Sequence, residues 1–396
     1  MTEWRKVKLG DICETQYGYT ASAETVDTGT KFLRITDIVP DTIDWDSVPF
    51  CKISNEERKK YILRKGDIVV ARTGATVGYA KYIKNDVESV FASYLVRFKV
   101  IDNLADKEYV GLCVTSKAFK DYILSIANGS AQPNANSQMM SSFELALPSL
   151  TVQRRIAEVL SRYDALIENY QRQIKLLEEA AQRLYKEWFV DLRFPGHQST
   201  PIINNLPQSW QKKSVSMLGE YLNGFAFKPS DWQETGKPII KIKEMGNGVT
   251  AETPRNNGDR VPKKYLIKAG DLLFSWSATL MVIVWTGEEG WLNQHLFKVT
   301  PAEGIGREFL LQSIANAIAE FSNLTTGSTM KHIQRNKLDQ VFVNTPPPEI
   351  MEKYNNLAES IRTQIINKSV QIRNLSEARD RLLPKLMSGE IEVKEL

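Results

Sequence analysis

Three histidines, His197, His295 and His332, stand far apart, and three cysteines, Cys13, Cys51 and Cys113, share neither a Cys-x-x-Cys spacing nor a neighbouring histidine. Zinc ligands come at short, repeated spacings and secreted disulfide frameworks at higher density, so this pattern argues against both and for buried thiols in a reducing compartment. Holding nucleotide phosphates takes a glycine loop of the GxxxxGK[ST] kind, and none occurs. Gly304-Ile305-Gly306 is a lone GxG without strand and helix signals around it, and reads as a turn. Asn344-Thr345-Pro346-Pro347-Pro348 comes nearest to a methyltransferase proline motif but lacks the aromatic; it reads better as a helix boundary. Scattered Asp and Glu could still assemble a nuclease site, but nothing in their spacing recommends one.

The side chains that remain are ones suited to contact with a polynucleotide. In the first half these are Lys31, Arg34, Arg72 and Thr73 of the ARTGATVG segment, Lys81, and the series Gln132, Asn134, Asn136, Gln138. In the second they are Lys241, Lys243, Lys263, Lys264, Trp276, and the series Lys331, His332, Gln334, Arg335. Arg, Lys, Asn and Gln make directional hydrogen bonds to base edges or phosphates. The net charge is only +4 over 396 residues, so such a surface must arise from local arrangement, not global excess.

Size and composition frame the elements that carry these residues. With 42% hydrophobic and 25% charged residues, the chain has material for two or three domains with their own cores. The opening MTEWRKVKLGDI lacks the apolar stretch of a signal peptide. The longest apolar run, Leu272 to Trp285, is broken by Ser275, Ser277 and Thr279 and is too short for a bilayer. A soluble, cytoplasmic protein without membrane partners is expected.

The chain repeats itself. QIKLLEEAAQRL, residues 173 to 184, returns as QIRNLSEARDRL, residues 371 to 382, an offset of 198 (371 minus 173). Asn128-Gly129-Ser130 returns as Thr326-Gly327-Ser328 at the same offset, and helix composition alone would not also bring these glycines into register. Upstream the offsets drift: Arg64-Lys65-Gly66-Asp67-Ile68 matches Lys268-Ala269-Gly270-Asp271-Leu272 at 204, and Trp4 matches Trp210 at 206. Helices that stay alike while the domains before them diverge suggest variable readers on a constant frame.

From Val152 to Asp191 there is neither Gly nor Pro, and Ile156, Tyr163, Tyr170, Leu177 and Leu184 recur every seventh residue beside a column of Leu160, Ile167, Ile174, Ala181 and Trp188. Phe194-Pro195-Gly196 is the expected stop. The second copy carries Tyr354, Ile361, Ile365, Ile372, Leu375, Leu382 and Leu386; Thr345 is placed to cap it, Pro384 to kink or fray its last turn, and Gly389 to end it. About 38 residues at about 1.5 Å each make a rod of roughly 57 Å. Rods of that length must bury their apolar stripes, and pairing with each other antiparallel places the two preceding domains at opposite ends of a stalk. Those domains read as strand-rich with short helices, with strands expected at Asp67 to Ala71, Tyr94 to Val100, Asp271 to Phe274 and His295 to Val299. The fold class is thus α+β, with two strand-rich domains (1–150 and 195–348) alternating with two long helices (151–194 and 349–388) and a tail at 389–396.

With GDIVVARTGATVG (66–78), NGSAQPNANSQ (128–138), the QRRIAEVLSRYDALIENY helix opening, LYKEWFVDLRFPG (184–196) and LLPKLMSGEIEV (382–393) in this order, essentially the whole chain resembles a specificity (S) subunit of a type I restriction-modification system. The resemblance implies a non-catalytic reader of double-stranded DNA. Each variable domain would be a target recognition domain for one half of a bipartite, asymmetric sequence, with the paired helices setting the unread gap. It implies two modification (M) subunits that bind S-adenosylmethionine and methylate adenine, and restriction (R) subunits that join for cleavage. S-adenosylmethionine, ATP and Mg are then expected on those partners and none on this chain. One departure stands out: Ser275-Trp276-Ser277-Ala278-Thr279 replaces Arg72-Thr73-Gly74-Ala75-Thr76, so a role for Arg72 has no direct counterpart. A coiled-coil adaptor that binds proteins, and a self-sufficient nuclease or methyltransferase, are the competing readings.

Overall fold

The computed structural model describes residues 4–40, 42–127, 133–250, 252–323 and 335–393, the side chain of Arg335 excepted. Gly129 and Gly327, with Gln132, Lys331, His332 and Gln334, lie outside them. The chain forms two units, Met1–Glu168 with Leu375–Leu396, and Asn169–Asn374.

In the first unit β1 (Arg5–Lys8) leads through a single turn, α1 (Leu9–Ile12), into β2 (Cys13–Tyr17). Then come β3 (Lys31–Leu33), α2 (Asn55–Tyr61), β4 (Ile68–Ala71), β5 (Ala80–Tyr82), β6 (Ser89–Phe91) and β7 (Leu95–Val100). Helices α3 (Lys107–Thr115), α4 (Lys117–Ala127) and α5 (Ser137–Ser141) and strand β8 (Glu144–Leu147) precede the first long helix, α6 (Leu150–Tyr185). An antiparallel sheet runs β2-β7-β4-β5, while β3 pairs with β6 in parallel and β1 with β8 antiparallel.

Strand β4 shows why DIVVA reads as an unbroken apolar run. Ile68 and Val70 face a core with Val96, Phe98, Tyr109 and Phe119, and Val69 and Ala71 face another with Leu33, Leu63 and Phe91. A strand covered on both sides has no polar face to alternate with. Burying each of its valines and its isoleucine contributes about 1.5–3 kcal/mol. The preceding turn is built by its motif: Gly66 takes a φ of 95°, and the Asp67 carboxylate accepts from the Arg64 amide at 2.9 Å and from the Arg97 guanidinium on β7 at 3.2 Å.

The second unit opens where α6 gives way to a π-helical turn, Lys186–Val190. Trp188 and Phe189, consecutive residues of this turn, both enter one core. Phe189 stacks edge-on against Phe309 and Tyr354, centroids 4.8 and 4.7 Å away. The helical run therefore ends before Phe194-Pro195-Gly196, and Leu192 turns the chain with a φ of 58°.

Short strands β9 (Ile202–Ile203) and β10 (Leu206–Pro207) precede β11 (Gln211–Ser214), β12 (Gly219–Asn223), β13 (Lys237–Ile240) and α7 (Ile242–Asn247). Next are β14 (Arg255–Asn256), β15 (Leu266–Ile267), β16 (Leu272–Ser275), β17 (Met281–Val284), β18 (Gly290–Leu292) and β19 (Leu296–Pro301). Helix α8 (Arg307–Asn323), strand β20 (Phe342–Thr345) and the second long helix, α9 (Pro348–Met387), complete it. The sheet order β12-β19-β16-β17, the parallel pair β13 and β18, and the antiparallel pair β11 and β20 repeat the connectivity of the first unit. The Gly-Asp turn repeats too: Gly270 has a φ of 96°, and Asp271 accepts from the Lys268 amide at 2.9 Å and from Lys298 at 2.8 Å.

Two expectations need correction. Helix α8, at 17 residues, is not short; it stands where the first unit has α3 and α4. Thr345 does not cap α9, because it closes β20 opposite Gln211, buried and with its hydroxyl unpartnered. Pro384 lies in the last turn of α9, which runs to Met387; the residue is exposed, and its carbonyl accepts from the Ser388 amide at 2.9 Å.

The seam of the long helices also lies one step over from the expected column. Ile156 is fully buried, but Tyr163, Tyr170, Leu177 and Leu184 are half-buried, whereas Leu160, Ile167, Ala181 and Trp188 beside them are buried. In α9, Tyr354 is buried and Ile361, Ile372, Leu375 and Leu382 are half-buried, with Ala358, Ile365 and Leu386 deeper. A 3.6-residue turn drifts against a seven-residue repeat, so neither column keeps the centre along a whole rod. Within the first unit the start of α6 (Ile156, Leu160) shares a core with Leu386 near the end of α9, and Arg379 donates to Asp164 at 2.8 Å. Within the second, Tyr185, just before the π turn, shares a core with Ile350, Met351 and Tyr354 at the start of α9.

Candidate nucleic-acid interface

In the first unit the segment after β4 turns back tightly into β5: the Gly78 amide donates to the Ala71 carbonyl at 2.9 Å, and Gly74 and Gly78 both take positive φ. The outer strand of this turn pairs with residues 133–135. Ala135 donates to the Arg72 carbonyl and Gly74 to the Pro133 carbonyl, both at 2.9 Å, with Thr73 opposite Asn134. Two stretches some sixty residues apart in sequence thus meet, bringing together Arg72, Thr73, Asn134, Asn136 and Gln138. Asn136 caps α5, accepting from the Met139 amide at 2.8 Å, while Asn134, Asn136 and Gln138 are exposed.

Tyr17, at the end of β2, was not among the expected residues and completes the cluster. The Arg72 guanidinium carbon lies 4.9 Å from its ring centroid, and the Ser137 amide donates to its hydroxyl at 3.0 Å. Burial alone would push the phenol up, but the Ser137 hydrogen bond and the Arg72 charge outweigh it and leave the phenol below its ordinary value. The signal was in the repeat: Tyr17-Gly18-Tyr19 matches Asn223-Gly224-Phe225 at 206, the offset of the two tryptophans.

The other cations of this unit are placed elsewhere. Lys31 donates to the Val48 carbonyl at 3.2 Å and lies over the Phe50 ring. Arg34 holds Asp37 through Nε and Nη2 at 3.0 and 2.8 Å, which raises its already high pKa. Lys81 sits half-buried on β5 opposite Val69.

In the second unit Trp276 follows β16 as Arg72 follows β4. The amide of each donates across to the residue before the neighbouring strand, Arg72 to Tyr94 before β7 at 3.0 Å and Trp276 to His295 before β19 at 3.4 Å. Tyr17 pairs with Val96 and Asn223 with Phe297, so these two also occupy one position. The indole Nε1 donates to Asn223 Oδ1 at 3.1 Å, and the ring packs on His295 and Phe297. The counterpart of Arg72 is therefore Trp276, one residue later than the sequence comparison placed it. Lys241 corresponds to Arg34: its amide donates to the Glu244 carboxylate at 3.0 Å, as that of Arg34 does to Asp37 at 2.8 Å, and its ammonium lies 5.3 Å from the Trp232 ring centroid. Lys243 pairs with Glu252 at 3.3 Å, and Lys263 and Lys264 are exposed on one 3-10 turn.

The cysteines offer no reactive thiolate. All three are free and buried, and burial pushes the thiols of Cys13 and Cys51 up to about 12 and about 11 and that of Cys113 up as well. Among the described residues no helix is long and apolar enough to cross a membrane, and no group of three His, Cys, Asp or Glu is placed to hold a metal ion.

Two units of one connectivity, carrying unlike side chains directly after the same strand, make a duplicated α+β protein. The chain belongs to the type I restriction modification DNA specificity domain family, whose model matches residues 1–179 and 207–368. It is 26% identical over 357 residues to the type I restriction enzyme MjaIX specificity subunit of Methanocaldococcus jannaschii, spanning 85% of this chain and 80% of that protein. It is 23% identical to the HindI specificity subunit of Haemophilus influenzae, over 99% of this chain and all of that one. Its fold is similar to that of the type I restriction-modification S subunit from M. genitalium, with a TM-score of 0.54 at 14% identity over 99% of this chain and 97% of the other.

Proposed function

We propose that this chain is the sequence-reading subunit of a type I restriction-modification complex, non-catalytic itself, in the cytoplasm. It reads double-stranded DNA as a bipartite, asymmetric target. Residues 1–150 and 195–348 are the two target recognition domains, helices 151–194 and 349–388 are the frame, and 389–396 is a tail. The observation that carries this reading is the repeat of one strand connectivity with unlike residues, Arg72 and Trp276, at one position. A frame of like architecture with unlike side chains suits two unequal half-sites, because phosphates are alike everywhere and only base edges differ.

In this reading the long helices pair antiparallel and set the unread gap. In support, the start of α6 packs with the end of α9 inside one unit, and the end of the first helical run packs with the start of α9 inside the other. Helices of 36 and 40 residues are about 54 and about 60 Å long, or roughly seventeen base pairs end to end, and the readers cover part of that length. Two M subunits, carrying S-adenosylmethionine and methylating adenine, and R subunits, using ATP and Mg, assemble on this frame, which binds no cofactor of its own. The adaptor reading is not favoured, since the family is one of DNA specificity domains.

The test is the methylated-adenine motif of the host genome, mapped with and without this chain. A split motif that vanishes on deletion is expected. A methylation pattern unchanged by deletion would refute the reading.

A further inference from the structure

We propose that the residue directly after the central strand is the base-reading position of each domain, and that Arg72 reads a guanine. This deepens the recognition reading and rests on it.

Both units place this residue directly after the same strand with the same cross-strand hydrogen bond, while its chemistry is exchanged. In the first unit a cation, Arg72, lies against an aromatic ring, Tyr17; in the second an aromatic ring, Trp276, donates to an amide, Asn223. A phosphate contact would call for a cation in both copies, because every step of DNA presents the same phosphate. The position shared by Arg34 and Lys241 does keep a cation in each unit, with an acid three residues on. The position of Arg72 and Trp276 does not, and a change of side chain is what a change of base requires.

Arg72 is also equipped to read. Its Nε is covered and without an acceptor, and no described residue takes its terminal N–H groups, whereas Arg34 is held by Asp37 and Arg97 by Asp67. Stacking on Tyr17 and the backbone pairing of residues 72–74 with 133–135 hold the planar fork in place, lowering the entropy lost on binding. Two parallel N–H donors match the O6 and N7 acceptors that guanine shows in the major groove. Trp276, its indole N–H taken by Asn223, has no such fork.

Selection of binding sites from a random duplex library by the full-length chain, wild type against Arg72→Ala and Arg72→Gln, tests this. Wild type is expected to show one guanine in one half-site favoured by about tenfold or more. Arg72→Ala should erase that preference and leave the other half-site intact, while Arg72→Gln, should the alanine variant fold poorly, should move it toward adenine. Uniformly weaker binding with every base preference kept, and a salt slope smaller by about one, would make Arg72 a phosphate contact and overturn the proposal. Selection unchanged in both variants overturns it too. Wild type selecting no sequence would instead overturn the recognition reading itself.

Discussion

Arg362 on α9 grips Glu308 on α8 with both carboxylate oxygens engaged, Nε donating to Oε2 at 2.7 Å and Nη2 to Oε1 at 3.0 Å. Their side chains are 6% and 1% exposed, and Gln312 donates to the same carboxylate. Removing one partner strands a charge in the interior, so Glu308→Ala or Arg362→Ala should each cost about 3–5 kcal/mol in urea unfolding. Replacing both with apolar residues of like volume should recover most of that loss. A single variant as stable as wild type would show that the pair contributes nothing.

Gly18 and Gly224 occupy one position in the two units, each donating its amide to the start of the neighbouring strand, Leu95 and Leu296. A β-carbon on either would lie 2.2 Å from a backbone oxygen, that of Ala92 or Asn293. Gly18→Ala and Gly224→Ala should therefore destabilise by about 1–3 kcal/mol, read as a lower Tm. Gly246→Ala in α7, with nothing nearer than 4.0 Å, is the control and should be neutral or stabilising.

Lengthening α6 by one heptad between Ile167 and Ile174, with a matching heptad in α9, adds about 10.5 Å to the frame. If, as proposed, the helices set the gap of a bipartite target, the selected or methylated sequence should keep both half-sites and gain about three base pairs between them, at about 3.4 Å per pair. Loss of either half-site sequence would count against separate readers and ruler.

Much of the frame was legible in the sequence. The long helices, the duplicated Gly-Asp turn and the buried strands follow from periodicity and punctuation, which are local properties. The site was legible in part. Arg72, Thr73 and Asn134 were identified from their types, but their meeting depends on backbone pairing across some sixty residues, and the partner Tyr17 comes from a third strand. Lys31 and Arg34 have the right types, yet a nearby carbonyl and the acid three residues on take their donors. Matching the Ala-Thr pairs, at an offset of 203, sets Ser275 against Arg72, whereas the offset of 204 that aligns the two Gly-Asp turns already puts Trp276 there, and the hydrogen-bond register agrees with it.

The ion pairs beneath the two turns, Asp67 with Arg97 and Asp271 with Lys298, keep one geometry although arginine has given way to lysine. Each acid stands just before its strand, and Arg72 or Trp276 just after it, at the other end. On the proposed reading, the residues after the strand can change like a key cut on a standard blank, and a new target should require new teeth rather than a new fold.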